Sequence, residues 1–150
     1  MTLMERVAED MKTAMKARDR LRLETLRMVR AQLLEKQVEK RPLGVITQED
    51  EMAVLISASK KRKEAIEIYA QAGRMDLSDH ERKELEIIQE YLPKQLTLPE
   101  VEDVVRRVAA EIGVTSSKDM GKVMSAVMKE LKGRAEGKLV QETVKRILEG

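Results

Sequence analysis

The residues best able to do chemistry in this chain are cations, and they gather in one stretch. From Asp119 to Val140 the sequence reads DMGKVMSAVMKELKGRAEGKLV. Wound at 3.6 residues per turn, its first half sets Met120, Val123, Met124, Val127, Met128 and Leu131 on one face, and Lys118, Lys122, Ser125, Lys129 and Lys132 on the other. Gly133 falls where a left-handed helix cap belongs and Gly137 opens a further helix, so Lys132, Arg134 and Lys138 crowd one short loop. Cations gathered in this way, with Glu130 and Glu136 off the stripe, suit the phosphate oxygens of a nucleic acid. On that reading Lys122, Lys129, Lys132, Arg134 and Lys138 contact phosphates, while Gly133 and Gly137 let backbone amides come close. The competing account is a solvated helix face and a tight turn, because exposed lysine is the default. A face made for solubility alone usually mixes signs.

Other chemistry finds little material. There is no Cys, which removes thiolate nucleophiles, disulfides and thiolate metal sites and fits a reducing compartment. Every Ser–His or related pair would have to use His80, the single histidine, which reads as a surface residue in the first turn of a helix. The GRAEGK segment is too short for a GxxxxGK[ST] phosphate loop, follows a helix instead of a strand, and lacks the Ser or Thr. The carboxylates fall at helix caps and on mixed-charge faces. No catalytic residue, metal or cofactor is expected. With Tyr69 and Tyr91 as the sole aromatics there is no stacking platform beside the cations, so RNA recognition would rest on shape and backbone.

The elements that position the basic stretch are helices. At 150 residues, with no Phe or Trp, any core must be built from Leu, Ile, Val, Met and Ala. A Thr2–Glu5 capping box and the stripe Leu3, Val7, Met11, Ala14, Met15 predict a helix over 3 to 17. Asp19 caps a second, carrying Leu23, Leu26, Val29 and Leu33 until RPLG (41 to 44) stops it; Arg20, Arg27 and Arg30 along it read as solvated. A third runs over 48 to 72, ending at Gly73. The run Lys60, Lys61, Arg62, Lys63 interrupts its buried side, so at least one cation there must snorkel or meet a carboxylate such as Glu64 or Glu67. Ser78 and Glu81 predict the start of a fourth, which Pro93 ends.

The segment LPKQLTLPE (92 to 100) turns the chain. Beyond it come a valine-rich helix closing at Gly113, the lysine-striped helix, and a last helix with Val140, Val144, Ile147 and Leu148. The expectation is an all-α protein of two helical subdomains, a four-helix bundle over 1 to 95 and a three-helix subdomain over 96 to 150.

Net charge is +2, distributed as +4 over 1 to 44, −3 over 45 to 96 and +1 from 97 on, so any basic site must be local. The first twelve residues carry acids and no apolar core of a signal peptide, and no run approaches the roughly 18 apolar residues of a spanning helix. A cytoplasmic protein without membrane association is expected.

The succession LRMVRAQL, KKRKEAIEIYAQAGRMDL, ELEIIQEYLPKQL and DMGKVMSAVMKELKGRAEGKLV closely resembles the stand-alone GatB/YqeY proteins. Their carboxy-terminal part is similar to the tail of the B subunit of glutamine-dependent aminoacyl-tRNA amidotransferase. The resemblance implies an all-helical protein whose tail touches the elbow of tRNA, acting in the tRNA aminoacylation or amidation system. It also implies association with carbon–nitrogen ligase activity that uses glutamine as amide donor, although the catalytic domain of the amidotransferase has no counterpart here. Ser125 stands where relatives often have Gly, and Glu136 where many have Asp. Two functions follow as expectations: a tRNA-binding accessory module, or a helical adaptor that holds a protein partner through exposed Met and Leu.

Overall fold

The computed structural model describes residues 1–41, 44–114 and 116–149. Each helix begins and ends where backbone groups find substitutes for the missing turn. Helix α1 (Leu3–Lys16) opens on the Thr2–Glu5 box, Thr2 Oγ1 accepting from Glu5 N–H and Glu5 accepting from Thr2 N–H, both at 3.1 Å. It closes on Arg18, whose φ of 57 allows Asp19 N–H to reach Ala14 O at 2.9 Å. That is a left-handed helix stop made without glycine. Asp19 then caps α2 (Arg20–Glu39), accepting from Arg22 N–H at 3.1 Å. The expected stop at RPLG lies partly outside the described residues, at Pro42 and Leu43. Helix α3 (Gln48–Gln71) opens on a Thr47–Asp50 box. It ends at Gly73, φ 74, with Arg74 N–H on Tyr69 O at 2.8 Å.

Helix α4 (Met75–Gln89) corrects one expectation. It begins a turn before Ser78, because the stop at Gly73 leads straight into it. Ser78 is therefore no cap. It is buried, and its hydroxyl donates to Ile66 O on α3 at 3.1 Å, a small residue between two closely packed helices. His80 accordingly sits in the second turn, half-exposed, with Nε2 3.3 Å from Glu84 Oε1. The four cations 60 to 63 resolve through Arg62. It is 4% exposed, with Nε 3.3 Å from Glu84 Oε2, Nη1 on Ala58 O at 3.3 Å and Nη2 at 3.5 Å from the sulfur of Met28. The carboxylate it meets comes from α4, not from Glu64 or Glu67 on its own helix.

By its internal contacts the chain divides into two compact units, Met1–Leu92 and Pro93–Gly150. In the first, α1 packs on α2 and α3 on α4, while α2 touches both α3 and α4. Their core holds Val7, Leu26, Val29, Leu33, Leu55, Ala58, Ile87, Ile88 and Tyr91. In the second, α5 (Leu98–Ile112), α6 (Met120–Leu131) and α7 (Gly137–Glu149) each pack against the other two. A 3₁₀ turn, Ser117–Asp119, leads into α6. Its core is almost all valine: 101, 105, 108, 114, 123, 127, 140 and 144, with Leu131 and Ala109. Branched at Cβ, valine fixes few rotamers and fills the narrow space between three short helices. The described residues contain helices and no strand, so the fold is all-α.

Candidate nucleic-acid interface

Burial fixes the direction of every cation on α6. Val123, Val127 and Leu131 are fully buried and Met120, Met124 and Met128 pack beside them, which turns Lys122, Ser125 and Lys129 outward. Lys122 and Lys129 are seven residues apart, two turns and roughly 10 Å along the axis. Lys118 is exposed on the preceding 3₁₀ turn.

The chain then turns sharply. Lys132 leaves the helix with ψ 123 and Gly133 follows at φ 80, a conformation costly for a residue with Cβ. Arg134 N–H closes back on Leu131 O at 2.8 Å, Ala135 packs on the core, and α7 starts at Gly137. Lys132, Arg134 and Lys138 are all exposed at this corner.

Pairing separates the corner lysines from three arginines of the same unit, Arg106, Arg107 and Arg146. Arg107 on α5 reaches Glu130 on α6 at 2.6 Å and Glu111 on its own helix at 3.1 Å, and Arg146 on α7 reaches Glu102 on α5 at 2.8 Å. Arg146 is the largest cause of the lowered Glu102 carboxyl, and Glu130 of the raised Arg107 guanidinium. Among the described residues no carboxylate forms an ion pair with Lys129, Lys132 or Lys138. The stripe is not free of acid at its amino end, where Asp119 stands 4.0 Å from Lys122.

Gly133 takes the left-handed conformation expected of a cap and Gly137 opens a helix as expected, but their surroundings differ. Gly133 is buried and its carbonyl accepts from Gln95 Nε2 at 2.7 Å, so it supplies the turn and not an open backbone. Gly137 is not among the positive-φ residues; a Cβ there would meet Met128 Cε at an ordinary 3.8 Å. It opens α7, whose first amides precede any intrahelical acceptor.

Sequence reasoning missed Lys94 and Gln95. The 93–97 segment reads as a linker, yet Leu96 N–H donates to Arg134 O at 2.8 Å beside the Gln95 bond, which ties it to the corner. Glu100 sits in the same field. Thr97 N–H is the largest cause of its lowered pKa, the Thr97 hydroxyl follows, and the charges of Lys94 and Arg134 add to both. A proline-bounded segment between helices carries no periodicity, so nothing in the sequence indicated what it touches.

The described residues contain no group of three His, Cys, Asp or Glu able to hold a metal ion. No described helix is long and apolar enough to cross a membrane.

Comparison with known proteins places this arrangement in a family. Residues 4–148 match the family model described as Yqey-like protein. The chain is also similar to a protein of Pyrenophora tritici-repentis named altered inheritance of mitochondria protein 41, mitochondrial. The two are 30% identical over 149 residues, which cover 95% of this chain and 81% of that protein. The chain belongs to the Yqey-like protein family.

Proposed function

We propose that this chain is a tRNA-binding accessory module of the tRNA aminoacylation or amidation system, related to the tail of the amidotransferase B subunit, and that the α6–α7 corner grips RNA backbone. The observation that carries this reading is the contrast in pairing. Arg107 on α5 and Arg146 on α7 are matched to glutamates, whereas Lys129, Lys132 and Lys138 stand exposed without a carboxylate partner among the described residues. Exposed cations displace the counterions condensed on RNA phosphates, and that release drives binding. The first amides of α7 add donors of the right polarity beside Lys138. With Tyr69 and Tyr91 both in the other unit, RNA is recognised by shape and backbone.

The module assists and does not catalyse. His80 stands 3.3 Å from Glu84, and the hydroxyl of Ser78, two residues away in sequence, is spent on Ile66 O, so these two form no serine–histidine pair. We place it in the cytoplasm; the relative's name places that protein in mitochondria, and both compartments contain tRNA. The competing adaptor reading draws on exposed Met28, Leu34, Val38, Ile68 and Met75 in the first unit. Binding of the purified chain to tRNA across a salt series separates the two. A steep linear fall of log affinity with log salt supports phosphate contacts, and absence of tRNA binding at low salt rejects them in favour of the adaptor.

A further inference from the structure

We propose that the phosphate-binding corner includes a third piece of chain, the Pro93–Thr97 segment, in which Lys94 contacts phosphate and Gln95 positions the turn. This rests on the RNA reading above and extends it to residues outside the α6–α7 stretch.

The turn between α6 and α7 does not hold its own shape. Its internal bond is Arg134 N–H to Leu131 O, and its next supports come from elsewhere in sequence. Gln95 Nε2 donates to Gly133 O at 2.7 Å and to Pro93 O at 3.0 Å, which uses both amide hydrogens. Leu96 N–H donates to Arg134 O at 2.8 Å. Two consecutive residues therefore hold two consecutive carbonyls, and the part-buried Gln95 shelters these bonds from water. The residue type matters. A neutral amide supplies donors without adding a second anion beside Glu136 among Lys132, Arg134 and Lys138, whereas a carboxylate here would have no hydrogen for Gly133 O and would cancel part of the field.

Lys94 precedes this clamp directly, so its Cα lies about 3.8 Å from that of Gln95. It is exposed, and it shares with Arg134 the field of Glu100. Glu100 is committed as the cap of α5, accepting from Thr97 N–H at 3.2 Å and from the Thr97 hydroxyl at 3.0 Å. Lys94 and Arg134 both act on this one carboxylate, and a phosphate takes up the charge of Lys94.

The test measures binding of the full chain to purified tRNA over a salt series, with melting followed in parallel. Lys94→Gln should reduce the slope of log affinity against log salt by roughly 0.7 to 0.9, the loss of one phosphate contact, with no change in melting. Gln95→Leu keeps the bulk and removes both donors. It should weaken binding several-fold at every salt concentration with an unchanged slope, while the Leu96 amide exchanges its hydrogen faster. Gln95→Glu should weaken binding further than Gln95→Leu.

The combined variant Lys129→Gln, Lys132→Gln, Arg134→Gln, Lys138→Gln separates the two levels of the argument. If it loses affinity and slope while Lys94→Gln and Gln95→Leu bind as wild type, the third segment is overturned and the RNA reading of the corner stands. If the combined variant itself binds as wild type, the RNA reading fails and takes this proposal with it.

Discussion

Two groups of four cations, one consecutive and one spread over 129 to 138, meet different fates. Lys60 to Lys63 lie consecutively on α3, where each residue turns about 100° from the last, so four in a row surround the axis and one must face the bundle. Arg62 does, and the fold absorbs it with Glu84, Ala58 and Met28. Lys63 is part-buried and engaged. Lys60 and Lys61 are exposed, and Lys61 shares a shallow cleft with Glu35 and Glu39. The corner cations at 129, 132, 134 and 138 are spaced so that all are exposed beside a valine core, and Glu130, next to Lys129 in sequence, is taken by Arg107. The number of cations in a stretch is thus a poor guide to the charge it offers. Helical phase and competition for carboxylates decide it.

The sharpest way to break this contrast is to remove the absorbed cation. Arg62→Ala removes the buried guanidinium, leaves the part-buried Glu84 with His80 alone, and should cost about 3 kcal/mol in urea unfolding. The pair Arg62→Met with Glu84→Leu should recover most of that, since apolar residues of similar size often replace a buried ion pair at little cost. Neither change should alter tRNA affinity measured where the variants remain folded. A loss of affinity there would mean that the α3 run is not merely structural.

Acid should act on the paired carboxylates next. Thr97 N–H holds Glu100 low, Arg146 holds Glu102 low, and in the first unit Thr47 N–H holds Asp50 low, with Lys40 adding to it. A carboxyl whose folded pKa is depressed gives stability that is present above its unfolded value and lost as pH falls through the folded one. Stability should therefore be level down to about pH 5 and decline below 4.5 for the glutamates and 3.8 for Asp50, read by thermal melting in acid buffers. At the alkaline end the sign reverses. Burial, then the bond to Asp10, pushes the Tyr91 phenol up, so its contribution is lost as pH climbs above 10.

The smallest effect concerns a conformation. Arg18 occupies a left-handed position at φ 57 that costs about 1 kcal/mol for a side chain with Cβ. Arg18→Gly relieves it and gives part of the gain back as unfolded-chain entropy, leaving roughly 0.5 kcal/mol of stabilisation visible in the melting temperature. A destabilised variant would show that the Arg18 side chain holds the α1–α2 turn.

Helix type and most boundaries were legible because apolar period and capping boxes are local signals: Thr2–Glu5, Thr47–Asp50 and Thr97–Glu100 all formed. Ser78–Glu81 carries the same signature and failed, because the Gly73 stop placed the helix start a turn earlier and buried the serine. The exposure of Lys122, Lys129, Lys132, Arg134 and Lys138 followed from periodicity as well. What was not legible depends on contacts distant in sequence. Glu84 finds Arg62 across two helices, and Gln95 finds Gly133 across 38 residues. Burial of Gly133 has the same origin: the turn closes against the 95–96 segment, which no local pattern announces.

The central claim is the proposed one, that the corner cations hold RNA backbone and the exposed cations of the α3 run do not. Its most direct test compares matched pairs in the full chain, Lys129→Gln with Lys132→Gln against Lys60→Gln with Lys61→Gln, for tRNA binding across a salt series. The corner pair should lower the slope of log affinity against log salt by about 1.4 to 1.8, two phosphate contacts' worth, and the α3 pair should leave it at the wild-type value. Equal slopes for the two variants, or a larger loss from Lys60 and Lys61, would contradict the account.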